Sequence, residues 1–326
     1  MPASSPPEHE PVTAPPDGAP TTRLAPSPTG ALHLGNARTF LINWALAHQH
    51  GWRIRMRIED LDTPRVKPGS EALCLDLLAW LGLTWEPSIT RQSDDLSPYE
   101  EAMTALASRG LAYPCDLTRT QIEAAASAPQ EGVDDTPVMP QRPNEAVPFT
   151  DPTRNWRFTT PEGPVEFVDA FAGPQSHTPA ADAGDFVVWT KRAQPSYQFA
   201  VVVDDARHRV THVVRADDLL PSTARQIQLA RALRLDWAPT FIHLPLVQGP
   251  DGKRLAKRHG DTRLDTYRTR GVAAERVIAL LARWSGIPGQ PDRMSASEFA
   301  DRFDLSRVPR EAVRFTEEDD AWLLAN

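Results

Sequence analysis

RLAPSPTGALHLGN, Arg23 to Asn36, decides the fold, because it sets a sharp turn of small residues, a histidine and a glycine where a strand hands over to a helix. Arg23, Leu24 and Ala25 read as the end of a first strand, and Pro26, Pro28 and Gly30 forbid regular structure beyond them. From about Asn36 the apolar residues Ala37, Phe40, Leu41, Trp44 and Ala45 recur at helical spacing, with Asn36 as the expected cap. A helix N-terminus behind a loop of small residues presents N–H groups to an anion, most often a phosphate.

Outward from this turn the pattern alternates. Gly51 ends the helix, and RIRMRI from Arg53 sets Ile54, Met56 and Ile58 against Arg53, Arg55 and Arg57, a strand pattern that finishes in Glu59, Asp60 and Asp62. Ligands of open parallel sheets bind outside the carboxyl ends of the strands, so strand one, the HLGN turn and Glu59 should meet in one crevice, where a carboxylate suits an ammonium group. Pro68 to Leu83 reads as a helix with Leu73, Leu77, Trp80 and Leu81 on one face, Cys74 as a small buried hydrophobe and Gly82 as its end. Ser97, Pro98 and Glu100 read as a capping box that opens a further helix ended by Gly110. Strand and helix in alternation define an α/β fold.

From Leu111 to about Pro152 the alternation breaks, and prolines at 129, 137, 140, 143, 148 and 152 suggest an inserted, loop-rich subdomain. Trp156 to Val168 reads as a hairpin across Gly163 and Pro164. Phe186 to Trp189 and Tyr197 to Val203 read as strands that return to the main sheet, the second ending in Asp204 and Asp205. Pro221 to Leu235 is an amphipathic helix, FIHLPLV at 241 to 247 a buried strand, and Val272 to Ser285 a helix. Between them GPDGKRLAKRHGD concentrates Lys253, Arg254, Lys257 and Arg258 in a glycine-bearing loop.

Composition sets outer limits. A chain of 326 residues can bury a sizeable core, and its net charge of -8 argues against a uniformly basic coat for indiscriminate nucleic-acid binding while permitting a local basic face. Cys74 and Cys115 are the only cysteines, so there is no disulfide framework, and no apolar run reaches membrane-spanning length. The expectation is a cytoplasmic monomeric enzyme with no membrane partner. Residues 1 to 22, rich in proline and without apolar periodicity, read as a disordered tail and not as a secretory signal.

HLGN is similar to the HIGH motif of class I aminoacyl-tRNA synthetases, and the longer run RLAPSPTGALHLGNART resembles the glutamyl branch of that family. SYQFAVVVDDARHRVTHVVRADDLLPSTARQ resembles the second half of the same catalytic domain, with Ala216 where a glycine is usual. RLAKR at 254 to 258 is similar to the KMSKS motif, with Ala256 in place of a serine. The resemblance implies a Rossmann-like (HUP-type) nucleotide-binding parallel sheet split by an inserted subdomain and followed by a small, mainly helical C-terminal region. In this numbering that gives the tail at 1–22, a first catalytic half at 23–110, an inserted acceptor-binding-like subdomain at 111–185, a second half with the KMSKS-like loop at 186–260, and helices at 261–326.

The same resemblance implies ATP, with Mg²⁺, as co-substrate. It makes His33 and Lys257 catalytic, and puts Thr29, Gly30, His33, Gly35, Asn36 and Lys257 around ATP. Arg23, Ser27, Glu59, Tyr197 and Arg215 would bind L-glutamate. That set is chemically apt: planar guanidinium groups hold a side-chain carboxylate, and Glu59 and Tyr197 receive the ammonium. For Arg215 an ion pair with Asp217 or Asp218 is the bland alternative.

The acceptor is read from the chain's end, where 68 residues follow Arg258, too few for a large anticodon-binding region. With LDTPRV at 61 to 66 and DLLAWLGL at 76 to 83, this resembles the truncated glutamyl-Q branch. The implied activity is attachment of glutamate to the queuosine base in the anticodon of tRNA(Asp). A truncated synthetase that charges a tRNA 3′ end, or a regulatory paralogue without chemistry, stays open. In glutamyl-Q relatives the YPC stretch leads into a zinc site; here Cys115 is followed by Asp116 and Leu117 with no later cysteine, so zinc is expected to be absent, with apolar packing in its place.

Overall fold

The computed structural model describes residues 18–29, 32–117, 142–253, 255 and 262–325. The chain opens with β1 (Thr21–Leu24), α1 (Leu34–His50), β2 (Arg53–Ile58), α2 (Ser70–Trp80), β3 (Ile89–Arg91) and α3 (Ser97–Ala107). A middle section holds β4 (Ala112–Pro114), β5 (Trp156–Phe158), β6 (Val165–Asp169), β7 (Gly173–His177), the one-turn α4 (Pro179–Asp182), β8 (Phe186–Thr190), β9 (Gln194–Pro195) and α5 (Tyr197–Arg207). Then come β10 (His212–Ala216), α6 (Leu220–Leu233), β11 (Thr240–Leu244), β12 (Val247–Gln248), α7 (Leu264–Thr269), α8 (Ala274–Trp284), α9 (Ala296–Arg302), β13 (Val313–Arg314) and α10 (Glu317–Leu324).

The expected α/β architecture is present. β1, β2 and β3 pair in parallel, as do β10 and β11. β1 runs beside β10, where the Thr211 N–H donates to the Thr21 carbonyl at 2.8 Å and the Thr21 N–H to Thr211 Oγ1 at 2.8 Å. Strands from the two halves therefore lie side by side, and the place where strand order reverses is where an open sheet leaves a crevice. Gly51 closes α1 in the left-handed conformation (φ 63°), as its position suggests.

The C-terminal helices pack into the main core. Val277, Ile278, Leu280 and Leu281 of α8 and Phe299 of α9 share one core with Leu41 and Ile42 of α1 and Met56 and Ile58 of β2. Buried Arg38 of α1 pins that packing by donating to the carbonyls of Pro245 (2.8 Å) and Trp284 (3.1 Å). Among the described residues, no helix is long and apolar enough to cross a membrane.

Several local expectations fail for identifiable reasons. Trp156 to Val168 is not a hairpin: β5 pairs with β4 and β8, whereas β6 pairs with β7 and touches β11 through Asp169 and Phe241. Trp156 and Phe158 go instead to a second core under α3 and α5. Phe186–Thr190 is a strand, but of the antiparallel sheet β4-β5-β8-β9 and not of the main sheet. Tyr197 to Val203, expected as a strand, lies in α5. Phe199, Ala200, Val201, Val202 and Val203 are all buried, so the helix shows no periodicity to read, and its β-branched run mimics a strand.

Ser97 begins α3 without a capping box; its hydroxyl turns back to Asp95 Oδ1 at 2.5 Å. Thr21 and Thr22, assigned to the tail, are buried in β1. Residues 1–17 lie outside the described residues.

Candidate active site

The site begins at the HLGN turn. α1 starts at Leu34, and its cap is His33, not Asn36. In the extended conformation of the cap, His33 Nδ1 accepts the N–H groups of Gly35 (3.1 Å) and Asn36 (3.4 Å), while Asn36 Oδ1 returns to the His33 N–H at 3.5 Å. The imidazole does what a serine or aspartate usually does at this position, which is why residue-type preference points three residues too late. An accepting Nδ1 puts the proton of the neutral ring on Nε2. Gly35 is dictated by the same packing: a Cβ there would lie 3.1 Å from both Nδ1 and Cε1 of His33.

Of the described flanks of the basic loop, one pairs with β12 and the other with this turn. Leu255 N–H donates to Val247 O at 2.9 Å. On the far side Leu34 N–H donates to Thr262 O (3.2 Å), Leu264 N–H to Leu32 O (2.9 Å), and His33 and Arg263 form an antiparallel bridge. Gly30, Arg254, Ala256, Lys257 and Arg258 lie outside the described residues.

One pocket is lined by Arg23, His33, Gly35, Asn36, Glu59, Tyr197 and Arg215, together with Thr39, Phe40 and the 214–219 and 245–247 segments. Seven residues separated by up to 192 positions are thus brought together. Ser27 is exposed and Thr29 half-buried, and neither lines the pocket. Tyr197, 41 % exposed, opens the first turn of α5 onto it.

Arg23 and Glu59 are set in a buried ionic cluster. Arg57 reaches Asp205 at 2.5 Å, Glu59 at 3.1 Å and Asp204 at 3.8 Å, while Arg23 lies 3.4 Å from Asp205. Asp204 also receives Gln92 (2.7 Å) and the Tyr99 hydroxyl (2.9 Å). Burial pushes the Asp205 carboxyl up, but Arg57 and Arg23 outweigh it and hold Asp205 below the usual carboxylate range. For Glu59 burial wins over Arg57 and Arg23, and its pKa is raised.

Arg215 is held differently. Its Nε donates to His243 Nε2 (2.9 Å), and its Nη2 to Thr223 Oγ1 (2.7 Å) and Gln226 Oε1 (2.8 Å). The ion pair with Asp217 or Asp218 does not form. Burial lowers the Arg215 pKa, with Tyr197 and Asp205 opposing.

Arg57, Asp204, Asp205, Thr223, Gln226 and His243 were not singled out by sequence. Arg57 ends a row of alternating arginines of which it alone is buried, and Asp204 and Asp205 sit within α5 and not past a strand end. The only signal was an uncommon density of charge inside otherwise apolar runs. Buried Cys115 has no metal cluster near it among the described residues. Nearby, Asp185 gathers the Tyr113 hydroxyl (2.7 Å), Arg142 (2.8 Å) and the Thr160 N–H (2.8 Å), so charge as well as apolar packing holds this part of the chain.

Residues 20–322 match the family of class I tRNA synthetases (E and Q), catalytic domain, and the chain belongs to that family. It is thus a ligase of the class I aminoacyl-tRNA synthetase type. The glutamyl-Q tRNA(Asp) synthetase of Symbiobacterium thermophilum is 43 % identical over 92 % of this chain and 97 % of its own length. That of Rhodopirellula baltica is 41 % identical over 89 % and 94 %. A glutamate–tRNA ligase of Dechloromonas aromatica is 36 % identical over 93 % of this chain and 66 % of that protein. The crystal structure of a glutamate tRNA ligase from Elizabethkingia meningosepticum, in complex with its amino acid, has a TM-score of 0.76 and 29 % identity, covering 93 % of this chain and 68 % of that one. The family resemblance read from HLGN and VVRADDLL is borne out.

Proposed function

We propose that this protein activates L-glutamate with ATP to glutamyl-adenylate and transfers the glutamyl group to the queuosine base in the anticodon of tRNA(Asp). The observation that carries the reading is the meeting, in one pocket, of a histidine-capped helix N-terminus with Arg23, Glu59, Tyr197 and Arg215. Similarity over nearly the whole length of two glutamyl-Q tRNA(Asp) synthetases supports the acceptor.

In this reading an α-carboxylate oxygen of glutamate attacks the α-phosphorus of ATP, and the bond to the departing pyrophosphate breaks. No covalent nucleophile is required of the protein; placement and charge stabilisation carry the step. The α1 N-terminus and the Nε2 proton of His33 meet charge on the phosphates, as does Lys257, carried by a loop whose C-terminal flank at Thr262 to Leu264 adjoins the turn. Gly35 and Asn36 lie beside the nucleotide, and Mg²⁺ accompanies ATP. Arg23 and Arg215 offer only donors, which suit a carboxylate and oppose the NH₂ of a carboxamide. A hydroxyl of the acceptor then attacks the activated carbonyl, and AMP leaves.

Glutamate-dependent exchange of pyrophosphate into ATP tests activation. Transfer of labelled glutamate to tRNA pools with and without queuosine tests the acceptor: label that persists without queuosine and disappears on periodate oxidation of the tRNA would establish terminal charging instead. A cytoplasmic, monomeric protein without zinc completes the proposal, with sizing chromatography and metal analysis as its measurements.

A further inference from the structure

We infer that His243 and Asp169 form a positioning pair that fixes the plane of the Arg215 guanidinium for the amino-acid side chain, an inference that rests on the glutamate reading above. Asp169 closes β6, and its carboxylate is itself fixed by the backbone N–H groups of Phe171 (2.9 Å), Ala172 (2.7 Å) and His243 (3.2 Å). It accepts from His243 Nδ1 at 2.6 Å. With the proton held on Nδ1, Nε2 presents a bare lone pair, which is what Arg215 Nε–H requires at 2.9 Å. The histidine tautomer is therefore imposed from β6, 74 residues away in sequence.

The remaining guanidinium donors are allotted just as tightly. Both hydrogens of Nη2 are taken by Thr223 and Gln226 of α6, so among the described residues only Nη1 has no hydrogen-bond partner, and Arg215 lines the pocket. The groups facing His243 are Asp169 from β6, Arg215 from β10, Thr223 from α6 and Phe241 of its own strand, with Arg23 of β1 contributing positive charge. Burial lowers the His243 pKa, only partly opposed by Asp169, so the neutral ring is the form present. A neutral acceptor orients the guanidinium without cancelling its charge, which a carboxylate in the same place would do.

A merely structural His–Asp link between β6 and β11 would affect stability but not the response to glutamate. The test is glutamate-dependent pyrophosphate exchange by the full chain and three variants. His243→Phe leaves the buried Nε donor unpaired and should raise KM for glutamate about 10- to 100-fold, with kcat and KM for ATP within about threefold. His243→Gln returns an acceptor oxygen near the Nε2 position and should stay within about threefold of wild type. Asp169→Asn frees the tautomer and should fall between them, and it carries the test if His243→Phe does not fold. An unchanged KM for glutamate in His243→Phe or Asp169→Asn, or equal shifts of the glutamate and ATP constants, overturns the positioning role. Absence of glutamate-dependent exchange in the wild-type protein overturns the functional reading itself.

Discussion

The two arginines that line the pocket are anchored in opposite ways. Arg23 sits in a cluster of fixed charge, 3.4 Å from Asp205, which also binds Arg57 at 2.5 Å. Arg215 sits in a cage of neutral acceptors: an imidazole nitrogen, a hydroxyl and a carboxamide oxygen. The first arrangement holds its arginine by attraction and spends part of its field on the partner. The second holds its arginine by geometry and leaves its charge directed at the pocket. Proteins that must bury a cation and still use it have these two solutions, and here they stand on the neighbouring strands β1 and β10 and line one pocket.

If the contrast is right, Arg215→Ala should cost more binding than Arg23→Ala. Truncating a buried, hydrogen-bonded member of a charge pair removes about 2–5 kcal/mol, so about a thousandfold loss in kcat/KM for glutamate is expected at Arg215 and about a hundredfold at Arg23. Equal losses in pyrophosphate exchange would erase the distinction. For stability the order reverses. Asp205→Asn leaves Arg57 and Arg23 short of their common anion and should cost about 3 kcal/mol or more in urea unfolding. Gln226→Leu removes one neutral acceptor and should cost about 1 kcal/mol by the same measurement.

The smallest effect sharpens the charged side alone. Burial raises the Glu59 pKa despite Arg57 and Arg23, so its proton returns at a higher pH than on an exposed glutamate. Ammonium binding needs the ionised form, hence KM for glutamate should rise severalfold, about 3- to 10-fold, as pH falls through the weakly acidic range. Glu59→Gln should start from a higher KM and lose that dependence. A wild-type profile that is flat there would place the ammonium elsewhere.

Legibility followed range. The HLGN turn, the end of α1 at Gly51, strand β2, helix α6 and strand β11 could be read because their signals lie within a few residues of one another. The identity of the cap could not, since an imidazole at the N-cap is outside the usual residue preferences and only its Nδ1 contacts reveal it. α5 reads as a strand in the sequence because a helix whose residues 199–205 are all buried carries no amphipathic period. The pairs that orient the site, Arg57 with Asp205 and His243 with Asp169, join residues 148 and 74 positions apart, and no local pattern links them.

The amino-acid sequence by itself determined the α/β class, the turn that leads into α1 and the side chains Arg23, His33, Glu59, Tyr197 and Arg215 as candidates, because each rests on local backbone chemistry or on a run of residues that resembles the family. Only the tertiary structure decided that His33 caps α1, that one arginine is held by charge and the other by neutral acceptors, and that Ser27 lies off the pocket. Those outcomes depend on which distant groups burial forces into contact, and desolvation, which makes each buried charge demand a partner, acts only once the chain has closed.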